Sequence, residues 1–239
     1  MSQEQEASSP RCLNASVSRR PGVDILLVSG HQMEALEPSE GCFLCQPAPD
    51  LVYETSKSFS AMLGYGPLGE GYSLVATRDH VASMLDLGRV GAEELVAFTE
   101  LVRERLSGYG PAVVTEHGRV AACVAAATAR YEPHCLHAHR LVFPGLARLS
   151  LSGIRWQENF IDYPDFLAAH RAFDWPGQYL YAEDADGACR IAPAPQQIRR
   201  QFFRSLVANK RGEPQLADWQ TDPAPPALAA AQRSLGLIA

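Results

Sequence analysis

The chain has 239 residues, 46% of them hydrophobic, a formal net charge of −6 and six cysteines. That is enough apolar material for a substantial core, in one large domain or a domain with an appendage. No apolar run reaches the ~18 to 20 residues that cross a bilayer, six cysteines are too few for a disulfide framework at this length, and the acidic balance argues against an extended nucleic-acid surface, though not against a small anionic ligand in a local basic pocket.

Residues 1–21 are polar and end in SRRPG, which predicts a flexible N-terminal arm. The opening MSQEQEASSPR has neither the basic start nor the apolar stretch of a secretory signal, so a cytoplasmic protein without a membrane anchor is expected. After CFLC, the stretch LVYETSKSFSAMLGYGPLGEGYSLVATRDH predicts two strands around the turn GYGPLGEG, because β-formers flank residues that allow tight turning. GAEELVAFTELVRERLSGYG places Leu95, Phe98, Leu101, Val102 and Leu106 near a 3.6-residue period and stops at glycines, as an amphipathic helix does. AVVTEH follows as a short buried strand. VAACVAAATARY fits either a helix or a packed linker, and CLHAHRLVFP is a strand closed by Pro144. Helical patterns return in PDFLAAHRAF and PQQIRRQFFRSLVANKR, with the strand-like QYLYAE between them. The Pro- and Ala-rich tail from Asp222 is a linker or a weak surface helix.

Two features carry chemistry. Cys42 and Cys45 have the C-x-x-C spacing that presents two thiolates to one ion, and zinc needs about four such soft or borderline ligands. His80 follows a predicted strand, and His137 or His134 can complete the set; without further ligands the pair is two reduced cysteines. A redox role is the weaker alternative, since no thioredoxin-like βαβ pattern surrounds the pair. Cys12, Cys123 and Cys189 read as plain thiols.

The second feature is PHCLHAHRLVFP, residues 133–144. On a strand, His137, His139, Leu141 and Phe143 share one face. A neutral imidazole is a good nucleophile toward phosphorus when its second nitrogen is held by a hydrogen bond. One histidine on such a face is ordinarily a satisfied core group; two in register beside C-x-x-C move the reading toward catalysis.

HAHRLVFP resembles the histidine-triad signature, H-x-H-x-H followed by two apolar residues and proline, with His137 and His139 on the first two histidines and Pro144 on the proline. EHG at Glu116 to Gly118, about 20 residues before CLHAHRLVFP, is similar to a bacterial branch of that superfamily. CFLC resembles the zinc-binding start of several branches, among them galactose-1-phosphate uridylyltransferase-like proteins, and the likeness extends over about residues 40–220. The resemblance implies an α+β fold, an antiparallel sheet with flanking helices and a C-terminal helical extension. Its implied organisation is an arm (1–21), a catalytic core (22–150) and an extension packed on that core (151–239). It implies a nucleotide hydrolase or nucleotidyltransferase in which His139 attacks the α-phosphorus, and a structural zinc held by Cys42, Cys45, His80 and His137. Glu116, His117 and Gly118 then line the phosphate or sugar side, and Gln197 and Arg200 approach the phosphates, where a guanidinium matches phosphate geometry. A homodimer is implied as well.

The departure is Leu141, which stands where the third histidine belongs and cannot donate a hydrogen bond. His134 or His117 is the candidate replacement. Another register, with Cys135 first, His137 as nucleophile and His139 last, keeps a third histidine but breaks the spacing to proline. Leu141 motivates one alternative, a zinc-stabilised nucleotide-binding protein with impaired catalysis; a further alternative, within the enzyme class, is a hydrolase releasing a nucleoside monophosphate from a specialised metabolite.

Overall fold

The computed structural model describes residues 42–120, 122–124, 131–133, 137–155, 157–221 and 223–238. The predicted N-terminal arm, His134 and Cys135 lie outside the described residues.

Ten strands and four α-helices are seen among them. The strands are β1 (Val52–Thr55), β2 (Phe59–Leu63), β3 (Ser73–Thr77), β4 (Ala112–Gly118), β5 (Ala122–Val124), β6 (Tyr131–Pro133), β7 (His139–Pro144), β8 (Ile161–Tyr163), β9 (Tyr179–Glu183) and β10 (Cys189–Pro193). The helices are α1 (Arg89–Arg105), α2 (Phe166–Ala172), α3 (Phe202–Arg211) and α4 (Pro225–Ser234). Eight strands form one antiparallel sheet in the order β1-β2-β3-β7-β4-β9-β10-β8, and β5 pairs with β6 separately. This is the expected α+β architecture.

The alternation along each strand divides the core between two faces. On the back face, Phe59, Val75, Val114, Val142 and Tyr181 pack with Leu95, Phe98 and Val102 of α1 and Phe166 of α2. On the front face, Met62, Leu74, Val113, Phe143 and Leu180 pack with Phe203 and Val207 of α3. Coverage on both sides is why β2, β3 and β9 are buried along their whole length.

The β2–β3 hairpin forms around the expected turn, in which Gly69 and Gly71 take φ of 114° and 72°, a region open chiefly to glycine. What reads in sequence as one long strand before it is two, β1 and β2. The break at Ser56–Lys57–Ser58 is held from a distance: the Glu94 carboxylate on α1 accepts from Ser56 Oγ, Ser58 N and Ser58 Oγ. On α1 the buried stripe runs through Ala92, Leu95, Phe98, Thr99 and Val102, and Leu101 points outward at 42% exposure. The ambiguous segment after β4 contains strand β5. Strands β8 and β10 do not stand out in the sequence.

The C-terminal half is built into the sheet. β9 pairs with β4, and β10 and β8 extend it outward, so the boundary expected near residue 150 falls inside one sheet. Helix α3 is shorter than its pattern: Gln201 adopts a left-handed conformation (φ 55°), and the helix begins at Phe202. Arg204 of α3, 2% exposed, donates to the carbonyls of Ala217, Leu216, Gly66 and Tyr65, tying this half to the hairpin turn. The tail forms α4, where buried Gln232 donates to the Asp50 carbonyl and carboxylate, each at 3.0 Å. No helix of the described residues is long and apolar enough to cross a membrane.

Candidate active site and metal site

The Cys42–Cys45 turn precedes β1 and is closed by a hydrogen bond from Cys45 N to the Cys42 carbonyl. It brings both thiols to His137, two residues before the start of β7. The Cys42 and Cys45 sulfurs each lie 3.4 Å from His137 Nδ1, and Cys45 Sγ lies 3.5 Å from His80 Nδ1. The His80 and His137 rings stack at 4.7 Å, and both are buried. His137 Nε2–H donates to the Thr77 carbonyl at 2.7 Å, which leaves Nδ1 as the bare nitrogen facing the thiols. Such an outer hydrogen bond fixes the tautomer and orientation of a metal-binding imidazole.

These distances fit a metal. Bonds of about 2.3 Å to sulfur and 2.0 to 2.1 Å to nitrogen in a tetrahedron place sulfur and nitrogen about 3.5 Å apart. Cys42, Cys45 and His137 thus lie close enough to share one ion.

Next to His137 stands the candidate nucleophile. His139 Nδ1–H donates to the main-chain carbonyl of His137 at 2.8 Å, so the other ring nitrogen, Nε2, carries the lone pair. His139 is half-buried and pairs with Ala76 of β3 on the front face. Leu141, two residues on, faces the same way, lies opposite Leu74 and Thr115, and packs against the front-face core. Thr115 contributes a buried hydroxyl that has no hydrogen-bond partner among the described residues. Continuing the β4–β7 register by two residues sets half-buried His117 level with His139.

The EHG segment divides between the faces. His117 lies on the front with His139, whereas Glu116 and Gly118 belong to the back. Glu116 is 1% exposed, and its Oε1 accepts from the Tyr179 hydroxyl at 2.5 Å and from Met84 N at 2.9 Å. Burial holds its carboxyl above the usual range, against the opposing pull of Arg140 and these donors. Gly118 pairs with Tyr179 so closely that a Cβ there would sit 2.2 Å from the ring. The structure brings together Cys42, Cys45, His80, His137 and His139, and does not bring Glu116 or Gly118 to the imidazole.

Gln197 and Arg200 precede α3 instead of riding on it. Gln197 is exposed in a bend, and Arg200 Nη2 pairs with Asp218 at 2.9 Å. Cys189 is a buried thiol of the back-face core, pushed up to about 12 by burial.

A group the sequence did not single out is Arg140, between His139 and Leu141. It is fully buried on the back face, with Nε 3.6 Å from Glu116 Oε2 and Nη1 3.6 Å from Glu183 Oε2. Its guanidinium carbon lies 4.1 Å from the Phe166 ring centre and 4.5 Å from that of Tyr181. Within a histidine motif this residue fills an unspecified position, and an arginine on a strand reads as solvent-facing.

No family model matches the chain, and no curated protein matches it. Among solved structures it is similar to a HIT family hydrolase from Clostridium thermocellum, at 19% identity over 46% of this chain and 94% of that one, with a TM-score of 0.34. It is similar at 20% identity to a hypothetical histidine triad nucleotide-binding protein from Sulfolobus tokodaii, over 43% of this chain and 68% of that one, with a TM-score of 0.32. It spans 22% of the length of the C. elegans NitFhit protein, at 15% identity over 40% of this chain and a TM-score of 0.32.

Proposed function

We propose that this protein is a histidine-triad-like nucleotide hydrolase or nucleotidyltransferase that works at an α-phosphorus through a covalent intermediate on His139. The observation that carries the reading is the hydrogen bond from His139 Nδ1–H to the His137 carbonyl. It assigns the lone pair to Nε2 on a strand paired along both edges, inside a segment that resembles the triad signature. In the first step Nε2 forms a bond to phosphorus and the bond to the leaving-group oxygen breaks, its electron pair going to that oxygen. In the second, water or another hydroxyl attacks phosphorus and releases its proton to solvent, the N–P bond breaks, and the pair returns to Nε2.

His80 joins Cys42, Cys45 and His137 as the fourth ligand of a structural zinc in this reading, supported by its 3.5 Å approach to Cys45 Sγ. The ion would supply a rigid tether for the segment entering β7. His117 is assigned to the phosphate side, with His134 as an auxiliary group. Glu116 and Gly118 serve the site from behind, through Tyr179. A homodimer is the assembly proposed by resemblance, measurable by sedimentation.

Incubation with nucleoside di- and triphosphates and nucleotide sugars labelled at the α-phosphate tests the reading. Wild-type protein should retain acid-labile label that His139→Asn loses, and the variant should keep its fold. Absence of both adduct and turnover across the panel overturns it. A second reading, a zinc-stabilised nucleotide-binding protein without turnover, is favoured by Leu141 alone, since losing one transition-state donor commonly costs roughly 10²- to 10³-fold in rate. Tight binding without product selects that reading.

A further inference from the structure

Directly behind the nucleophile, the sheet carries a row of alternating charges. Arg103 of α1 reaches Glu183 at 2.8 Å, Glu183 faces Arg140 at 3.6 Å, and Arg140 faces Glu116 at 3.6 Å. The tyrosine hydroxyls of β9 close the row, Tyr181 donating to Glu183 and Tyr179 to Glu116. Arg140, at 0% exposure, lies over the rings of Phe166 and Tyr181.

The two Arg140 ion pairs are by themselves weak evidence of stabilisation. Two charges taken from water regain their desolvation cost only with close, well-formed hydrogen bonds, and apolar replacements of equal volume are often neutral or better. Here both carboxylates stand at 3.6 Å, and none of the three guanidinium nitrogens makes a hydrogen bond among the described residues. What the arrangement does specify is register. On β7 the side chains alternate, so a slip of one residue would exchange Arg140 with His139. The slipped strand would place a guanidinium on the apolar front face and an imidazole between two carboxylates. Glu116 of β4 and Glu183 of β9 therefore select the one pairing in which His139 faces front.

We propose that Arg140 is a positioning residue for His139, acting through β7, and that Glu116 and Glu183 form the frame it locks into. This rests on the assignment of His139 as nucleophile. Displacing a reacting atom by about 1 Å can cost on the order of 10²-fold in rate. Arg140 touches no substrate, so its loss acts on kcat and leaves nucleotide affinity in place.

The test compares wild type with Arg140→Met, Arg140→Lys and Glu116→Gln. On a substrate that wild type turns over, Arg140→Met should lower kcat and the single-turnover rate of adduct formation 10- to 100-fold, with KM and metal content changed less than about twofold. Arg140→Lys, which keeps the charge, should restore part of the loss. The double variant with Glu116→Gln should be no slower than Arg140→Met, because both changes break one unit. Full kcat in folded Arg140→Met, or losses that multiply in the double variant, overturn the proposal. If Arg140→Met does not fold, the near-isosteric Glu116→Gln carries the same kcat prediction. If wild type forms no adduct, the functional assignment fails by itself. The frame is then judged by acylation of His139 with diethyl pyrocarbonate relative to His170: an unchanged ratio in Arg140→Met or Glu116→Gln overturns it.

Discussion

Replacing Gly118 with alanine separates two roles for the EHG segment, contact with a ligand and packing of the frame. The added Cβ would stand 2.2 Å from Cζ and 2.3 Å from Cε1 of Tyr179. That ring has no free direction: it is fully buried, bounded by Phe173, and its hydroxyl is held by Glu116. Overpacking of this kind costs roughly 1 to 3 kcal/mol. Displacing the hydroxyl from a buried carboxylate costs a further ~1.5 to 3 kcal/mol. The combined 2.5 to 6 kcal/mol corresponds to a fall in Tm of at least about 5 °C for a chain of this size, since each kcal/mol shifts Tm by roughly 2 to 4 °C. Calorimetry reads the fall, and the same substitution in a Tyr179→Leu background should cost much less, because the clash has gone. A shift below about 2 °C, or an equal cost in both backgrounds, refutes the packing account. A rise in KM at unchanged Tm would return Gly118 to the ligand.

The metal reading predicts that Cys42→Ser lowers bound zinc from about one ion per chain to near none by elemental analysis, and lowers the denaturation midpoint with it, because metal affinity of a preformed site is folding free energy. Zinc retained at wild-type content overturns the ligand assignment. The raised carboxyl of Glu116 has a definite sign. The folded state binds this proton more tightly than the unfolded chain, so its stabilising contribution is complete below the ordinary value of 4.5 and declines as pH rises through the higher folded value. Wild-type stability should therefore fall above pH 4.5 relative to Glu116→Gln, measured by urea denaturation; parallel curves refute it.

Local patterns were legible in the sequence and remote partnerships were not. The β2–β3 hairpin, β4 and β7 follow from turn residues and alternation, which neighbours in the chain determine. The front-facing His139 and its Leu141 companion follow from the same period of two. The broken strand at Ser56 to Ser58 depends on Glu94, which stands 36 positions beyond Ser58, and no window of sequence shows that. Arg140 escaped for the same reason: Glu116 and Glu183 come from two other strands, and only the assembled sheet reveals that the charge is buried. Helix α3 starts late because Arg200 and Gln201 hydrogen-bond Asp218, a local pattern overruled by a residue past the helix.

The pairing of β4 with β9 sets an order of events as well as a shape. Gly118 meets Tyr179, so 61 residues separate two neighbours at the centre of the sheet. At a synthesis rate of about 5 to 20 residues per second, β4 emerges from the ribosome roughly 3 to 12 seconds before its partner. For that interval its outer edge is open to other chains, and the strand bearing Glu116 lacks the β9 half of its frame. Nascent protein thus passes through a stage in which the strand bearing His139 already exists and half of the frame proposed to position it does not.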